Sequence, residues 1–342
     1  FLEQFEELFR QAHRGMSPER LVQMVREFQY PEQLAVFARQ ISKPGFHDMV
    51  VEAWINGLLS GPMTHVRNFT SNTFMTVWAP IERMAALRPQ EALDMVHGVV
   101  ESVGDALRVA AQAFRTGQVQ SGVTKLEIRP RAISAETLEL TGTAGRAVDL
   151  IGAGIRTPGR FLIASDEFFK AINFRAELRA AARREARVEL TARGHTSRRE
   201  MAVIYHQIMA DPPLPVRQAA ENFALYQTFQ RELGETGQAL MRLRDSHPVG
   251  RFVVPFLKTP INLGKGAIER SPLALVTRDF REAIQRGGVD RDLALARMSL
   301  GSFMMALGAT AAWAGYITGG GPKAPDQRLP LSDLKWQPYS FY

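Results

Sequence analysis

Apolar residues recur along most of the chain three and four positions apart, as they do on one face of a helix. One segment that shows this spacing contains Phe168, Phe169, Ile172 and Leu178. Because residues three and four apart lie on the same side of an α-helix, the pattern predicts helices that each bury one face. A strand-like alternation occurs at residues 123–128. The chain is therefore predicted to be all-α, a multi-helix, elongated and bundle-like protein with several long helices.

Proline, glycine and helix-capping residues divide this pattern into predicted helices. The helices are predicted at 1–14, 18–29, 31–41, 46–59, 65–87, 90–116, 134–151, 158–193, 198–210, 215–245, 260–269, 272–286 and 289–318. The sequence after Gly319 is rich in glycine and proline and predicts a non-helical, extended tail. Four segments follow: an N-terminal helical region at 1–116, an extended connector at 117–133, a central long-helix region at 134–245 and a C-terminal helical region at 246–342.

The C-terminal region contains the longest uncharged stretch, with 25 residues between Arg297 and Lys323. Roughly 20 apolar residues suffice for a helix to cross a bilayer. A stripe of small residues lies along this helix, and it consists of Gly301, Gly308, Ala311, Ala312 and Gly315. Small residues on one face let a second helix approach closely, in membranes and elsewhere. Because Ala, Gly, Ser and Thr make insertion energetically marginal, the pattern fits either a tightly packed core helix or a membrane contact.

A stripe of arginines marks the predicted helix at 158–193. It consists of Arg175, Arg179, Arg183 and Arg187, spaced by four residues, with Arg184 beside them. No acidic residue lies three or four positions from any of the four, so pairing along the helix does not neutralise them. Their countercharge must come from another helix, another subunit, solvent or a phosphate backbone. Contact with DNA would be independent of sequence and strongly weakened by salt.

A turn followed by a polar helix edge is the most distinctive short pattern. Its residues are Gly61, Pro62, Thr64, His65, Asn68 and Asn72. The Gly-Pro pair is predicted to end one helix, and the threonine to cap the next. The histidine and asparagines then recur along one side of that helix, where they form either a site with His65 as ligand or base, or structural hydrogen bonds at a helix start. Neither a carboxylate nor a second histidine lies close enough in sequence to complete a metal site.

The composition and the motifs of the sequence predict a protein without catalytic, cofactor or metal sites. The 342 residues include no cysteine, which excludes disulfides and thiolate metal ligands. The glycines at 152–159 lack the third glycine of a dinucleotide-binding loop, and the sequence contains neither HExxH nor GxSxG. The formal net charge of +7 is a moderate indication of a polyanionic partner. Because the chain begins within an amphipathic helical pattern and stops after an aromatic tail, a fragment of a longer polypeptide is expected.

Three segments together resemble one family of proteins. The segments are WINGLLSGPMTHVRNFTSN, DEFFKAINFRAELRAAA and a C-terminal block that runs from FVVPFLKTPINL through SLGSFMMAL to WQPYSF. In this order they are similar to internal virion proteins of tailed bacteriophages, also called ejection or large polyvalent proteins. The resemblance covers about residue 50 to the end.

The resemblance implies a non-enzymatic part of a protein that is packaged in the capsid, expelled with the genome, and assembled into a conduit across the host envelope. Implied partners are copies of the chain, other virion or ejection proteins, the portal or tail, phage DNA and the host membrane. Two alternatives stay open. One is a purely structural helical module of the virion, and the other is a cell-wall hydrolase whose active site is too dispersed to recognise.

Overall fold

The computed structural model describes residues 44–119, 125–126, 131–194, 197–247, 249–321 and 337–341. Within these ranges the chain forms α-helices and no β-strand, so the predicted all-α fold is confirmed for them. One isolated antiparallel bridge joins Ile317 to Phe341. The helices predicted at 1–14, 18–29 and 31–41 lie outside the described residues, as does most of the predicted connector at 117–133.

The described ranges contain twelve α-helices. They are α1 (Phe46–Leu59), α2 (Pro62–Ala85), α3 (Pro89–Thr116), α4 (Gly142–Ile155), α5 (Thr157–Ala192), α6 (Arg198–Ala210), α7 (Leu214–Gln227), α8 (Glu235–Asp245), α9 (Gly250–Val253), α10 (Lys258–Glu269), α11 (Arg278–Arg286) and α12 (Gly288–Trp313). A 3₁₀ helix, Pro272–Val276, precedes α11. Most bounds lie within three residues of the predicted ones, because proline, glycine and capping residues mark them in the sequence.

The helix predicted at 215–245 is wrong, since the structure contains two helices, α7 and α8, in its place. At the break, Phe229 has a left-handed backbone conformation with φ of 57°. The side-chain amide of Asn262 donates hydrogen bonds to the carbonyls of Phe229 (3.2 Å) and Arg231 (2.7 Å). A side chain from α10 therefore satisfies backbone groups that a continuous helix would have paired itself.

Three other predicted helices differ at their ends or in the middle. The helix predicted at 134–151 begins at α4, because the residues before it form turns in which Glu139 is left-handed, with φ of 53°. The region predicted as 272–286 divides at Thr277, whose hydroxyl caps α11 by accepting from the Phe280 N–H at 3.3 Å. The helix predicted at 289–318 ends with α12 at Trp313.

The described residues form two compact units. Unit 1 contains the described residues up to Val77 together with Asp94–Asn262, and unit 2 contains Trp78–Leu93 together with the described residues from Leu263 onwards. The division falls within α2, α3 and α10, so each of these helices contributes to both units. Each unit combines two separate stretches of chain, whereas the four predicted segments are continuous. That those segments are domains stays a prediction.

The main core of unit 1 lies where α5 packs against α6 and α7. Its buried residues are Leu178, Ala181, Ala182, Ala186, Leu190, Ile204, Ile208, Val216 and Ala220. The small alanine side chains let the three helices approach closely and fill the space between them. A second cluster joins Val51, Ile55 and Leu59 of α1 to Leu126 and Leu162, so the described middle of the predicted connector is buried rather than loose.

Unit 2 has a smaller apolar core and relies on ion pairs. Ala86, Leu293 and Ala296 form its buried apolar cluster, with Val289 packed against it. The fully buried carboxylate of Glu82 accepts hydrogen bonds from Arg270 (2.8 Å), which directly follows α10, and from Arg297 (3.0 Å) of α12. These contacts hold the first half of α12 in place.

Candidate functional site

The second half of α12 exposes several large apolar side chains. Of the described helices, α12 alone is long and apolar enough to cross a membrane, and 11% of its most apolar 18-residue window is buried. The large exposed side chains of this half are Phe303, Met304, Met305, Leu307 and Trp313. The helix is therefore not a core helix of the described chain. Its apolar surface can be covered only by lipid or by another protein segment.

The exposed apolar side chains surround this half of α12 instead of forming one stripe. Successive helix residues are about 100° apart. Phe303, Met304 and Met305 are consecutive and all exposed, so they point in widely different directions. A helix that is apolar all round belongs in a large protein core or in a membrane, whereas a helix that meets one partner needs one apolar face.

The predicted stripe of small residues does not act as one packing surface in the described structure. At Gly301 a Cβ would collide with the Arg270 carbonyl, so α12 approaches the end of α10 closely there. At Gly308 nothing lies within 4 Å of a built Cβ, and Ala311 and Ala312 continue this open stretch. Gly315 lies beyond the helix and has φ of 84°, a conformation that favours glycine at a helix end.

Aromatic side chains gather where α12 ends. Trp313 is 90% exposed, and Tyr316, Tyr339 and Phe341 are also exposed. The residues beyond the helix are held together by hydrogen bonds from the Thr318 N–H to the Ser340 carbonyl (3.0 Å) and from the Tyr339 N–H to the Gly319 carbonyl (3.2 Å). The described part of the predicted extended tail, 337–341, therefore returns to the end of α12. Trp and Tyr are enriched where a bilayer meets water.

The arginine stripe on α5 is partly neutralised within unit 1. Arg179 forms an ion pair with Glu101 of α3. Arg183 binds both carboxylate oxygens of Asp94, also on α3, and lies over the ring of Tyr205 at 5.6 Å. Arg184 pairs with Glu177, seven residues earlier on α5, at 2.7 Å. The countercharge for these three arginines thus comes largely from a neighbouring helix, one of the sources expected from the sequence.

The other two arginines of the stripe, Arg175 and Arg187, are exposed on α5. They lie twelve residues apart, which is about 18 Å along a helix. Guanidinium groups at such positions can reach a phosphate without first breaking a buried ion pair. Contact of α5 with DNA or with a partner therefore stays a prediction, and these two positions are where it can be tested without disturbing the fold.

The polar edge predicted on α2 meets Asp166 of α5 in a buried polar cluster. The Asp166 carboxylate accepts hydrogen bonds from Asn68 (3.1 Å) and Asn72 (3.3 Å) of α2 and forms an ion pair with Lys125 (2.9 Å). The Lys125 ammonium also donates to the Asn68 side-chain carbonyl at 2.7 Å. Lys125 is 6% exposed and Asp166 4% exposed. The polar edge predicted on α2 is therefore used to hold α2, α5 and residue 125 together.

The remaining residues of the predicted turn are arranged differently from the expectation. Helix α2 begins at Pro62, two residues before Thr64, so the predicted cap by Thr64 is wrong, and the Thr64 N–H donates to the Gly61 carbonyl at 3.0 Å. Pro62 fits the first helical position, where no N–H is needed. His65 is half-buried, and its ring contacts the edge of Phe161 with centroids 6.0 Å apart. This is a packing contact and supplies no chemistry by itself.

Two further buried charged groups escaped the sequence patterns. Burial lowers the pKa of Lys170, whose ammonium lies 2.7 Å from Glu167 within α5. Burial also raises the pKa of Glu52, although its carboxylate accepts hydrogen bonds from the Ile133 N–H (2.7 Å) and the Arg131 N–H (3.1 Å). Charged residues at positions where the helical period predicts burial are the only sequence signal for such groups. The partners of Glu52 are about 80 positions away, whereas Glu167 lies three positions from Lys170.

Among the described residues, no group of three or more histidine, aspartate and glutamate side chains is arranged to hold a metal ion. The known proteins were compared at three levels. No protein-family model, no curated protein and no solved structure matches this chain.

Proposed function

We propose that the chain is a non-enzymatic helical component of the apparatus by which a tailed phage delivers its genome, and that it attaches to the host membrane through the second half of α12. It works as an oligomer with other virion or ejection proteins, first in the capsid or along the ejection path and then at the host envelope. The resemblance of its three segments to phage internal virion proteins supports this setting. The observation that carries the membrane contact is the all-round apolar exposure of α12.

The dimensions of α12 support an insertion that starts near Arg297. From Met298 to the end of the helix are 16 uncharged residues, or about 24 Å at ~1.5 Å per residue. The hydrocarbon core of a bilayer is about 30 Å thick, so this length enters most of the core and fits attachment better than a complete span. Arg297 is tied to Glu82 and stays with unit 2, whereas Trp313 and Tyr316 lie at the other end. A helix with a fixed charge at one end and aromatic rings at the other fits the depth profile of a membrane.

Flotation of the whole chain with liposomes, neutral or rich in anionic lipid, tests this function. We expect the chain to float, and the double variant Met305→Glu with Leu307→Glu to stay in the dense fraction, because carboxylates in the inserted segment are costly. The matched control is Val188→Glu with Leu243→Glu, which adds the same charge at exposed apolar positions of unit 1. The control should float like the parent chain, and both variants should keep the parent melting temperature.

Two results would contradict the proposal. A chain that floats with no lipid composition would favour the purely structural module, in which another protein covers α12. A cleared band on a peptidoglycan zymogram would instead favour the cell-wall hydrolase and overturn the non-enzymatic assignment.

A further inference from the structure

A short uncharged segment of unit 2 exposes three large apolar side chains. It contains the 3₁₀ helix Pro272–Val276 and lies between Arg270 and Arg278, which are separated by seven residues without charge. The exposed side chains are Leu273 (61%), Leu275 (56%) and Val276 (74%). Ala274, by contrast, is buried, so the segment packs on unit 2 through a small residue and presents its large ones to the outside.

Two contacts fix the level of this segment along α12. The Arg270 carbonyl packs so closely against Gly301 that a Cβ there would collide with it. The Glu82 carboxylate forms ion pairs with both Arg270 and Arg297. The 3₁₀ helix begins two residues after Arg270 and itself contacts α12. It therefore lies beside α12 at about the level of residues 297–301.

The same level of α12 is where the proposed insertion begins. Helix α12 contains no charged residue after Arg297, and its inserted part starts at Met298. Helices in contact have axes about 8–10 Å apart. The surface of a bilayer that takes up α12 from Met298 onwards extends sideways over more than this distance. Such a surface therefore reaches the 3₁₀ helix.

We infer that Pro272–Val276 is a second lipid contact, and that it lies in the interfacial layer of the bilayer beside the start of the inserted part of α12. This contact rests on the proposed function, and it adds to it the level at which insertion stops. Arg270 and Arg278 lie at the two ends of the segment, and charged side chains are accepted near the headgroups but are costly at the centre of a bilayer. Contact with lipid is therefore shallow at the 3₁₀ helix and deep along α12.

A lipid surface fits this part of unit 2 better than a single partner helix does. The exposed apolar side chains of α12 point in widely different directions, and the 3₁₀ helix adds three more beside the start of the exposed half. A bilayer covers such a surface without matching its shape, whereas a partner helix covers one face.

Fluorescent labels on single cysteines measure the depth of each position, because the native chain has no cysteine. With phosphatidylcholine liposomes, a label on Val276→Cys should be quenched most by lipids that carry the quencher near the headgroup. A label on Leu307→Cys should be quenched most by lipids with the quencher deep in the acyl chain, because this position lies about 14 Å along the helix from Met298. Gln285→Cys is the control. It is exposed near the end of α11, close to the start of α12, and should not be quenched.

These labels distinguish a failure of the second contact from a failure of the proposed function. Deep quenching of Leu307→Cys without quenching of Val276→Cys would overturn the second contact and leave the attachment by α12 intact. No quenching of either label would contradict the proposed function itself. Without lipid, iodide in the buffer should quench the label on Val276→Cys. A label that iodide cannot reach would show that protein covers this segment, and would overturn the contact.

The variant Val276→Glu tests whether the contact contributes to attachment. It should lower the partition coefficient of the whole chain on the same neutral liposomes by about three- to tenfold, because a carboxylate replaces an apolar side chain in lipid. Gln285→Glu adds the same charge at an exposed position of α11 and should change the coefficient less than about twofold. Both variants should keep the parent melting temperature, since both positions are exposed. Equal losses from the two variants would overturn the contact.

Discussion

Helices α5 and α12 use their side chains in opposite ways. Helix α5 buries charged and polar residues, namely Asp166, Glu167, Lys170, Asn173 and Glu177. Helix α12 exposes large apolar residues along its second half, namely Phe303, Met304, Met305 and Leu307. In α5 every one of these polar groups has partners within unit 1. In α12 the partners of the apolar side chains are missing from the described chain.

The difference shows where the side chains of each helix find their contact partners. A buried charge is tolerated only when its counter-charge and hydrogen-bond partners come with it, as Lys125 and Asn68 do for Asp166. An exposed apolar helix is tolerated in a functional protein when lipid or another subunit covers it in use. The polar side chains of α5 therefore find their partners when unit 1 folds, whereas under the proposed function the apolar side chains of α12 are covered by lipid or another subunit. The predictions below test this contrast, beginning with the largest expected effect.

Removal of the Asp166 carboxylate should give the largest loss of stability. Asp166→Ala leaves the buried Lys125 ammonium without a counter-charge, which typically costs about 3–5 kcal/mol. Urea denaturation followed by circular dichroism measures the change. The control is Asp105→Ala, which removes an exposed partner of Arg108 and should cost less than about 1 kcal/mol. Equal, small losses for both variants would show that the charges of α5 do not hold unit 1 together.

The glycines of α12 should divide the helix into a packed and an open half. Gly301→Leu forces a side chain into the Arg270 backbone and should cost about 1–3 kcal/mol or more. Gly308→Leu enters open space and should be neutral or stabilise the helix by up to about 1 kcal/mol. Thermal unfolding of the two variants in the absence of lipid compares them. A Gly308→Leu variant as unstable as Gly301→Leu would show that the second half is covered in the isolated chain.

The pH dependence of stability should reveal the buried lysine of α5. Because burial lowers the pKa of Lys170, the unfolded chain binds its proton more tightly than the folded chain does. The contribution of Lys170 to the free energy of unfolding therefore rises with pH between the lowered pKa and the ordinary value near 10.5. Denaturation of the parent chain and of Lys170→Met at several alkaline pH values gives the free energy of unfolding of each. The difference between the two free energies isolates the contribution of Lys170. A difference that is flat, or that falls with pH, would exclude a buried, charge-destabilised lysine.

The exposed arginines should give the smallest effect on stability and the clearest test of DNA contact. Arg175→Glu with Arg187→Glu should change stability by no more than about 0.5 kcal/mol per site. If α5 contacts DNA, the pair should weaken binding at low salt, as measured by fluorescence anisotropy with duplex DNA. Replacement of Arg179 and Arg183 by glutamate would also break their ion pairs with α3. A loss of DNA binding could then not be separated from a loss of stability. Unchanged binding would remove α5 from the DNA-contact hypothesis.

Local patterns predicted much of the secondary structure but little of the candidate sites. The bounds of α1 and α6 match the prediction, because helix ends depend on nearby residues. The polar edge with Asn68 was visible in the sequence, yet its partner Asp166 lies 98 positions away. The break before α8 depends on Asn262, which reaches Phe229 across 33 positions. The residues near Asn68 or Phe229 in the sequence do not predict these partners, because tertiary packing brings them together.

By itself the sequence determined which stretches form helices and that α12 carries no charge after Arg297, because both depend on the spacing and type of neighbouring residues. Tertiary structure decided which arginines are neutralised, which glycines are packed and which half of α12 stays exposed. The physical reason is that burial and ion pairing are properties of pairs of surfaces, and the second surface lies far along the chain or on another molecule.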